Sequence, residues 1–101
     1  MQQLSGIVQI QTNDHSVVLS GHGFADTSDV AGWLQLLVQQ QLLSIVEFNM
    51  GADRAQWLVN YADQIIILFF EELSESLWFE ALQRNDARLL QTLSKQLEAI
   101  V

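Results

Sequence analysis

The residues of this chain that could carry out chemistry begin with one histidine and two nearby aspartates. His22 lies between two glycines, and Asp26 and Asp29 follow it. An imidazole and carboxylates can together bind a divalent metal ion. Their spacing matches no established metal site, and a glycine-flanked loop holds its side chains in no fixed position. We therefore interpret the segment as the connection between a strand and a helix, and we expect neither a metal nor a cofactor.

A second candidate is the pair of adjacent acids Glu71 and Glu72, since paired carboxyl groups can act as general acid and general base. The pair directly follows an apolar run, where charged residues usually mark the solvated end of a strand. The chain contains neither a Gly-x-Ser-x-Gly motif nor a phosphate-binding glycine loop with a lysine. We expect no catalysis, and a small hydrolase or metal-dependent enzyme is the third of three functional hypotheses.

A third candidate is the segment 71–80, which combines acids with large apolar side chains. Tryptophan anchors protein interfaces, and carboxylates steer basic partners. The alternative is that Leu77 and Trp78 are core residues and that the acids simply favour a helix N-terminus. Leu36 and Phe79 lie off the core-facing stripes of their predicted helices and are added to these. The candidate partner-binding residues are therefore Leu36, Glu71, Glu72, Glu75, Trp78 and Phe79.

Composition predicts a single domain over residues 1–101 with an excess of apolar material. Half of the residues are apolar and only 16% are charged, against roughly 25% in an ordinary domain. Such a chain has few charges to cover its apolar surface. The excess favours an oligomer or a partner-bound module over a solitary monomer.

The net charge of −8 repels phosphate backbones and anionic lipids, so we expect binding to neither nucleic acid nor membrane. The absence of cysteine excludes disulfides and thiolate metal sites. The segment 1–5 lacks the basic and apolar parts of a signal peptide. The longest apolar run has six residues, far short of a membrane span. We expect a soluble cytoplasmic protein.

The element that says most about architecture is the apolar run Ile65–Phe70, which has polar residues on both sides. Successive side chains of a strand point to opposite faces of a sheet. An unbroken apolar run therefore predicts a central strand that is covered on both faces.

The elements before this run follow from alternation and helical spacing. The alternation around Leu4, Val8 and Ile10 predicts a first strand, and Val17–Leu19 returns as the second after a turn at Asn13–His15. Asp26 or Thr27 can cap a helix, in which Gly32 favours close packing against a neighbour. The apolar stripe of this helix is Val30, Trp33, Leu34, Leu37, Val38 and Leu42.

The remaining elements complete a predicted order of ββαβββαα. Val46–Met50 and Ala55–Tyr61 alternate as strands, and Ile65–Phe70 follows as the fifth. Ser74 or Ser76 then caps a helix with the stripe Leu77, Trp78, Ala81 and Leu82. Asn85–Asp86 caps a last helix with Arg88 and Lys95 outside and the stripe Leu89, Leu90, Leu93, Leu97 and Ile100.

This order resembles the longin and profilin-like arrangement. The resemblance implies an α+β fold, namely a five-stranded antiparallel sheet with helices on both faces. The fifth strand would pair with the first and the fourth at the centre of the sheet. The resemblance implies nothing about function, because one fold hosts many activities.

Two stretches, Gly51–Val59 and Glu71–Phe79, look like a family of uncharacterised bacterial proteins of about this chain's length. The family is labelled only as a domain of unknown function, so the resemblance carries over no catalytic or binding residues.

These observations together favour a non-catalytic protein-interaction module that self-associates, as a homodimer, through an exposed sheet edge or a helix face. The alternative hypothesis is an acidic inhibitor or immunity-type protein that binds a basic protein partner by charge complementarity.

Overall fold

The computed structural model describes residues 7–13, 15–21, 24–82 and 87–100. They form six strands and two helices in the order ββαββββα. The strands are β1 (Ile7–Thr12), β2 (Ser16–Gly21), β3 (Ser44–Met50), β4 (Ala55–Tyr61), β5 (Gln64–Glu71) and β6 (Ser76–Ala81). The helices are α1 (Thr27–Gln39) and α2 (Ala87–Ile100).

All six strands belong to one antiparallel sheet with the order β1-β2-β6-β5-β4-β3. Helix α1 carries the chain from β2, second in the sheet, to β3 at the far edge. Three tight connections then return it to β6, which pairs with β2. The expected class of α+β with an antiparallel sheet is confirmed. The expectation of five strands, with the fifth paired to the first, is wrong, since β5 pairs with β4 and β6.

The additional strand is β6, which occupies the place of the helix predicted to begin at Ser74 or Ser76. Leu77 and Phe79 are buried and Trp78 between them is only half-buried, so the segment alternates as a strand does. Aromatic residues also favour strands over helices. A tight turn with Glu75 in the left-handed region (φ 53°) joins β5 to β6, which leaves no room for a helix start.

Both helices lie on the same face of the sheet. Trp33 of α1 packs against Phe79, with ring centroids 6.4 Å apart. The Tyr61 hydroxyl donates a hydrogen bond to Gln96 of α2. The strand register places Phe79 and Tyr61 on the same face, so the expectation of helices on both faces is wrong.

The side chains of the apolar run in β5 therefore lie in two different environments. Ile66, Leu68 and Phe70 point toward the helices and are fully buried. Ile65, Ile67 and Phe69 alternate with them and point to the opposite face. The central position of β5, between β4 and β6, is confirmed, whereas the inference that elements cover both of its faces is wrong.

Helix α1 begins as predicted. Asp26 is the N-cap, and a capping box with Asp29 satisfies the first backbone N–H groups. Hydrogen bonds from the Ser28 hydroxyl and the Asp29 amide lower the pKa of Asp26 below its usual value. The predicted role of Gly32 is wrong, because this residue is exposed and a Cβ there would meet no atom within 4 Å.

The predicted stripes of both helices form the core together with the helix-side residues of the sheet. Val30, Trp33, Leu34 and Leu37 are buried on α1, while Val38 and Leu42 are half-buried. Leu90, Leu93 and Leu97 are buried on α2, with Arg88 and Lys95 exposed. The predictions for Leu4, for the Gly21-His22-Gly23 connection beyond Gly21 and for the Asn85–Asp86 cap lie outside the described residues, as do those for the side chains of Val8 and Ile100.

A matched pair of substitutions in β5 tests whether one face alone is packed. We expect Leu68→Thr to lower the free energy of unfolding by about 2–4 kcal/mol, because it leaves a cavity and buries a hydroxyl. Ile67→Thr on the other face should cost about 1 kcal/mol or less, since its hydroxyl reaches water. Urea denaturation followed by circular dichroism measures both values. Equal losses would show that both faces of β5 are packed alike.

Candidate functional site

The face of the sheet opposite the helices, which we call the open face, is unexpectedly apolar. No helix or strand of the described residues lies over it. Its side chains come from four adjacent strands and are mostly half-buried rather than exposed. Its apolar members are Val18, Leu58, Ile65, Ile67, Phe69 and Trp78.

Phe69 is buried on this face although no helix of the described residues lies over it. Its ring is only 8% exposed because two side chains close over it. Trp78 stacks against it with centroids 5.3 Å apart and an interplanar angle of 28°. The guanidinium of Arg54 lies 4.6 Å from the Phe69 centroid and 5.8 Å from that of Trp78. A cation over an aromatic face is attracted by the ring quadrupole.

Carboxylates flank this aromatic stack. The Trp78 Nε1–H donates a 2.7 Å hydrogen bond to Glu80 Oε2. Arg54 Nη1 lies 3.9 Å from Glu71 Oε2, and both side chains are more than a third exposed, so the ion pair is weak. The strand register also places Glu47, opposite Leu58, on this face. Of the described cationic side chains, Arg54 is the one that lies on the open face.

A second unusual surface is the outer strand β3, which we call the β3 edge. All of its residues are exposed, and among the described strands β4 is its one neighbour in the sheet. Of the six exposed large apolar side chains among the described residues, four lie here, namely Ile45, Val46, Phe48 and Met50. A β-bulge between Ile45 and Glu47 places Val46 out of the simple alternation that the sequence predicts. From Glu47 to Met50 the ladder is regular.

The predicted partner-binding residues do not form a single surface. Glu71 and Trp78 lie on the open face, while Glu72 and Glu75 are exposed around the β5–β6 turn. Phe79 is fully buried in the core, which corrects its expected position off the core-facing stripe. Leu36 is half-buried against the core.

Sequence reasoning did not identify Arg54 and Phe69 as a functional pair, nor the β3 edge as a separate surface. A signal for Arg54 was present, because it is the first basic residue of an otherwise acidic chain and precedes β4 directly. The assignment of the face for Phe69 depends on the pairing of β5 with β6, which no local pattern reveals.

A family model described as "Protein of unknown function (DUF3630)" matches residues 6–98. The chain belongs to this family. The match confirms the resemblance seen in the two sequence stretches. No curated protein and no solved structure matches the chain.

Acids considered above as candidates for metal binding or acid–base catalysis have hydrogen-bond partners in the fold. Asp26 and Asp29 form the capping box of α1, and Glu71 accepts a hydrogen bond from the Ser74 hydroxyl at 3.2 Å. In the described part of the chain, no three His, Asp or Glu residues are grouped closely enough to hold a metal ion. Neither helix there is long and apolar enough to cross a membrane.

Removal of the Arg54 guanidinium should open the aromatic stack. Trp33 and Trp57 are only 4% and 3% exposed, so quenching of tryptophan fluorescence by acrylamide reports mainly on Trp78. We expect Arg54→Gln to increase the quenching constant and to cost about 1 kcal/mol or less in stability. Arg88→Gln, on exposed α2 surface, is the control. An unchanged quenching constant in Arg54→Gln would show that Arg54 does not cover the rings.

Proposed function

We propose that this protein is a non-catalytic protein-interaction module that forms a homodimer through the β3 edge. The observation that supports this proposal is the concentration of exposed apolar side chains on one edge strand, which has no partner on its outer side among the described residues. A free edge presents unpaired N–H and C=O groups to a further strand. Natural edges usually carry several charges or a proline, but β3 carries only Glu47.

Charge favours this edge over other surfaces for self-association. Two copies with a net charge of −8 each repel one another, so a stable contact requires the least charged apolar surface. The β3 edge supplies one carboxylate per copy, whereas the open face carries Glu47, Glu71 and Glu80. Pairing of two identical edges would extend the sheet through a twofold axis, an isologous arrangement.

The position of Glu47 restricts how two β3 strands could pair. An antiparallel pair centred on Glu47 would bring two carboxylates directly together, which destabilises a sheet. A pair centred on Phe48 instead sets Glu47 opposite Asn49 of the second copy. The Asn49 side chain already donates a 2.7 Å hydrogen bond to Glu47 Oε2 within one chain. We therefore propose that Phe48 lies at the twofold axis, where the two rings would pack together.

Sedimentation equilibrium tests the dimer. We expect a dimer at tens of micromolar that persists at high salt, because apolar contacts are not screened. Phe48→Glu should raise the dissociation constant by about tenfold or more, since it removes apolar contact and adds like charge. Leu73→Glu, at a turn residue that is 99% exposed, is the matched control. A clean monomer of the unchanged protein, or equal effects of both substitutions, would contradict the proposal.

The absence of cysteine allows a test of the register as well. Under mild oxidation, Phe48→Cys should yield a disulfide-linked dimer, because the two copies of this position would meet at the axis. Leu73→Cys, at the same protein concentration, should stay largely monomeric. Equal cross-linking of the two variants would contradict a twofold axis at Phe48.

A further inference from the structure

In the described residues, the helices form a layer on one face of the sheet and leave the open face without one. Helix-side residues of β4, β5 and β6 are buried beneath α1 and α2. On the open face the same strands present Leu58, Ile67 and Trp78, which are half-buried, and no helix or strand in the described part of the chain lies over them. An apolar sheet face of this kind is a surface on which a helix packs.

The charges on this face limit which helix could pack there. Glu71 and Glu80 lie beside the aromatic stack, and Glu47 lies beyond Leu58. Arg88 and Lys95 are on α2, which packs on the opposite face, so Arg54 is the one described cation close to these acids. A basic helix would place cations beside these carboxylates, whereas an acidic helix would add like charge and a neutral helix would supply no cation.

Arg54 shows how a cation fits this surface. Its guanidinium lies over the Phe69 ring and beside the carboxylate of Glu71. Its side chain is 47% exposed, and its ion pair is long, so it can move aside at little cost. The hydrogen bond from Trp78 to Glu80 holds a second carboxylate at the edge of the same rings. Two sites for a guanidinium or ammonium group therefore adjoin the apolar row.

We propose that the open face binds a basic amphipathic helix of another protein. The apolar stripe of that helix would pack on Leu58, Ile67, Phe69 and Trp78, and its cations would pair with Glu71 and Glu80. The partner would thereby supply the third layer of an α/β/α arrangement. This surface shares Glu47 with the β3 edge, but none of the residues named for helix binding lies in β3. The inference can therefore be tested independently of the homodimer.

Fluorescence anisotropy of a labelled synthetic helical peptide, with leucine on one face and lysine on the other, tests this proposal with the full chain. We expect binding that weakens as salt rises, since carboxylates contribute to it. A peptide with glutamate in place of lysine should not bind. Equal binding of the two peptides would overturn the proposed preference for a basic partner.

Five variants locate the binding surface. Ile67→Lys should weaken binding of the lysine peptide by about tenfold or more, and Glu80→Gln should weaken it several-fold. Leu73→Lys and Glu98→Gln make the same changes of side chain or charge at exposed positions off the open face, and should leave binding unchanged. Phe48→Glu should also leave it unchanged, which separates this surface from the dimer. If the open-face variants bind as tightly as their controls, the proposal is overturned.

Discussion

The structure depends on the burial of one face of a six-stranded sheet beneath the two helices of the described residues. Helix α1 must cross from β2 to the far edge, and α2 packs near β1, β2 and β6. Two helices fill the layer over the central strands, where Leu68 and Phe79 are fully buried. They leave β3 exposed at one side, and no other described helix or strand covers the opposite face. Both candidate interaction surfaces therefore have the same cause, namely that the two described helices do not cover the whole sheet.

Local patterns in the sequence predict the β1–β2 hairpin, the cap of α1 at Asp26, the strands β4 and β5, and the buried stripe of α2. Each of these depends on neighbours close in the chain, such as the Asp26 and Asp29 pair. The sequence misassigns the segment Ser76–Ala81, because the spacing of its apolar residues and the acids before it fit a helix start as well as a strand. Pairing of β6 with β2 decides between them, and these strands are far apart in sequence.

The candidate surfaces were harder to predict for a related reason. The apolar run Ile65–Phe70 was correctly interpreted as central, but an apolar residue on a strand does not reveal whether a helix or a partner covers it. Phe69 is covered in a third way, since the side chains of Arg54 and Trp78 of the same chain shield its ring. The low charge content of the chain indicated that some apolar surface would remain, and the structure locates it at the β3 edge and the open face.

The central claim is that the helices cover one face of β5 alone, and three consecutive isoleucines in that strand allow a direct measurement. In a methyl-labelled sample, a neutral paramagnetic probe in solution should relax the methyl signals of Ile65 and Ile67, which face away from the helices. The signal of Ile66, which is fully buried beneath them, should be little affected. Equal protection of all three methyl groups would contradict the claim, because it would mean that structure covers both faces of the strand.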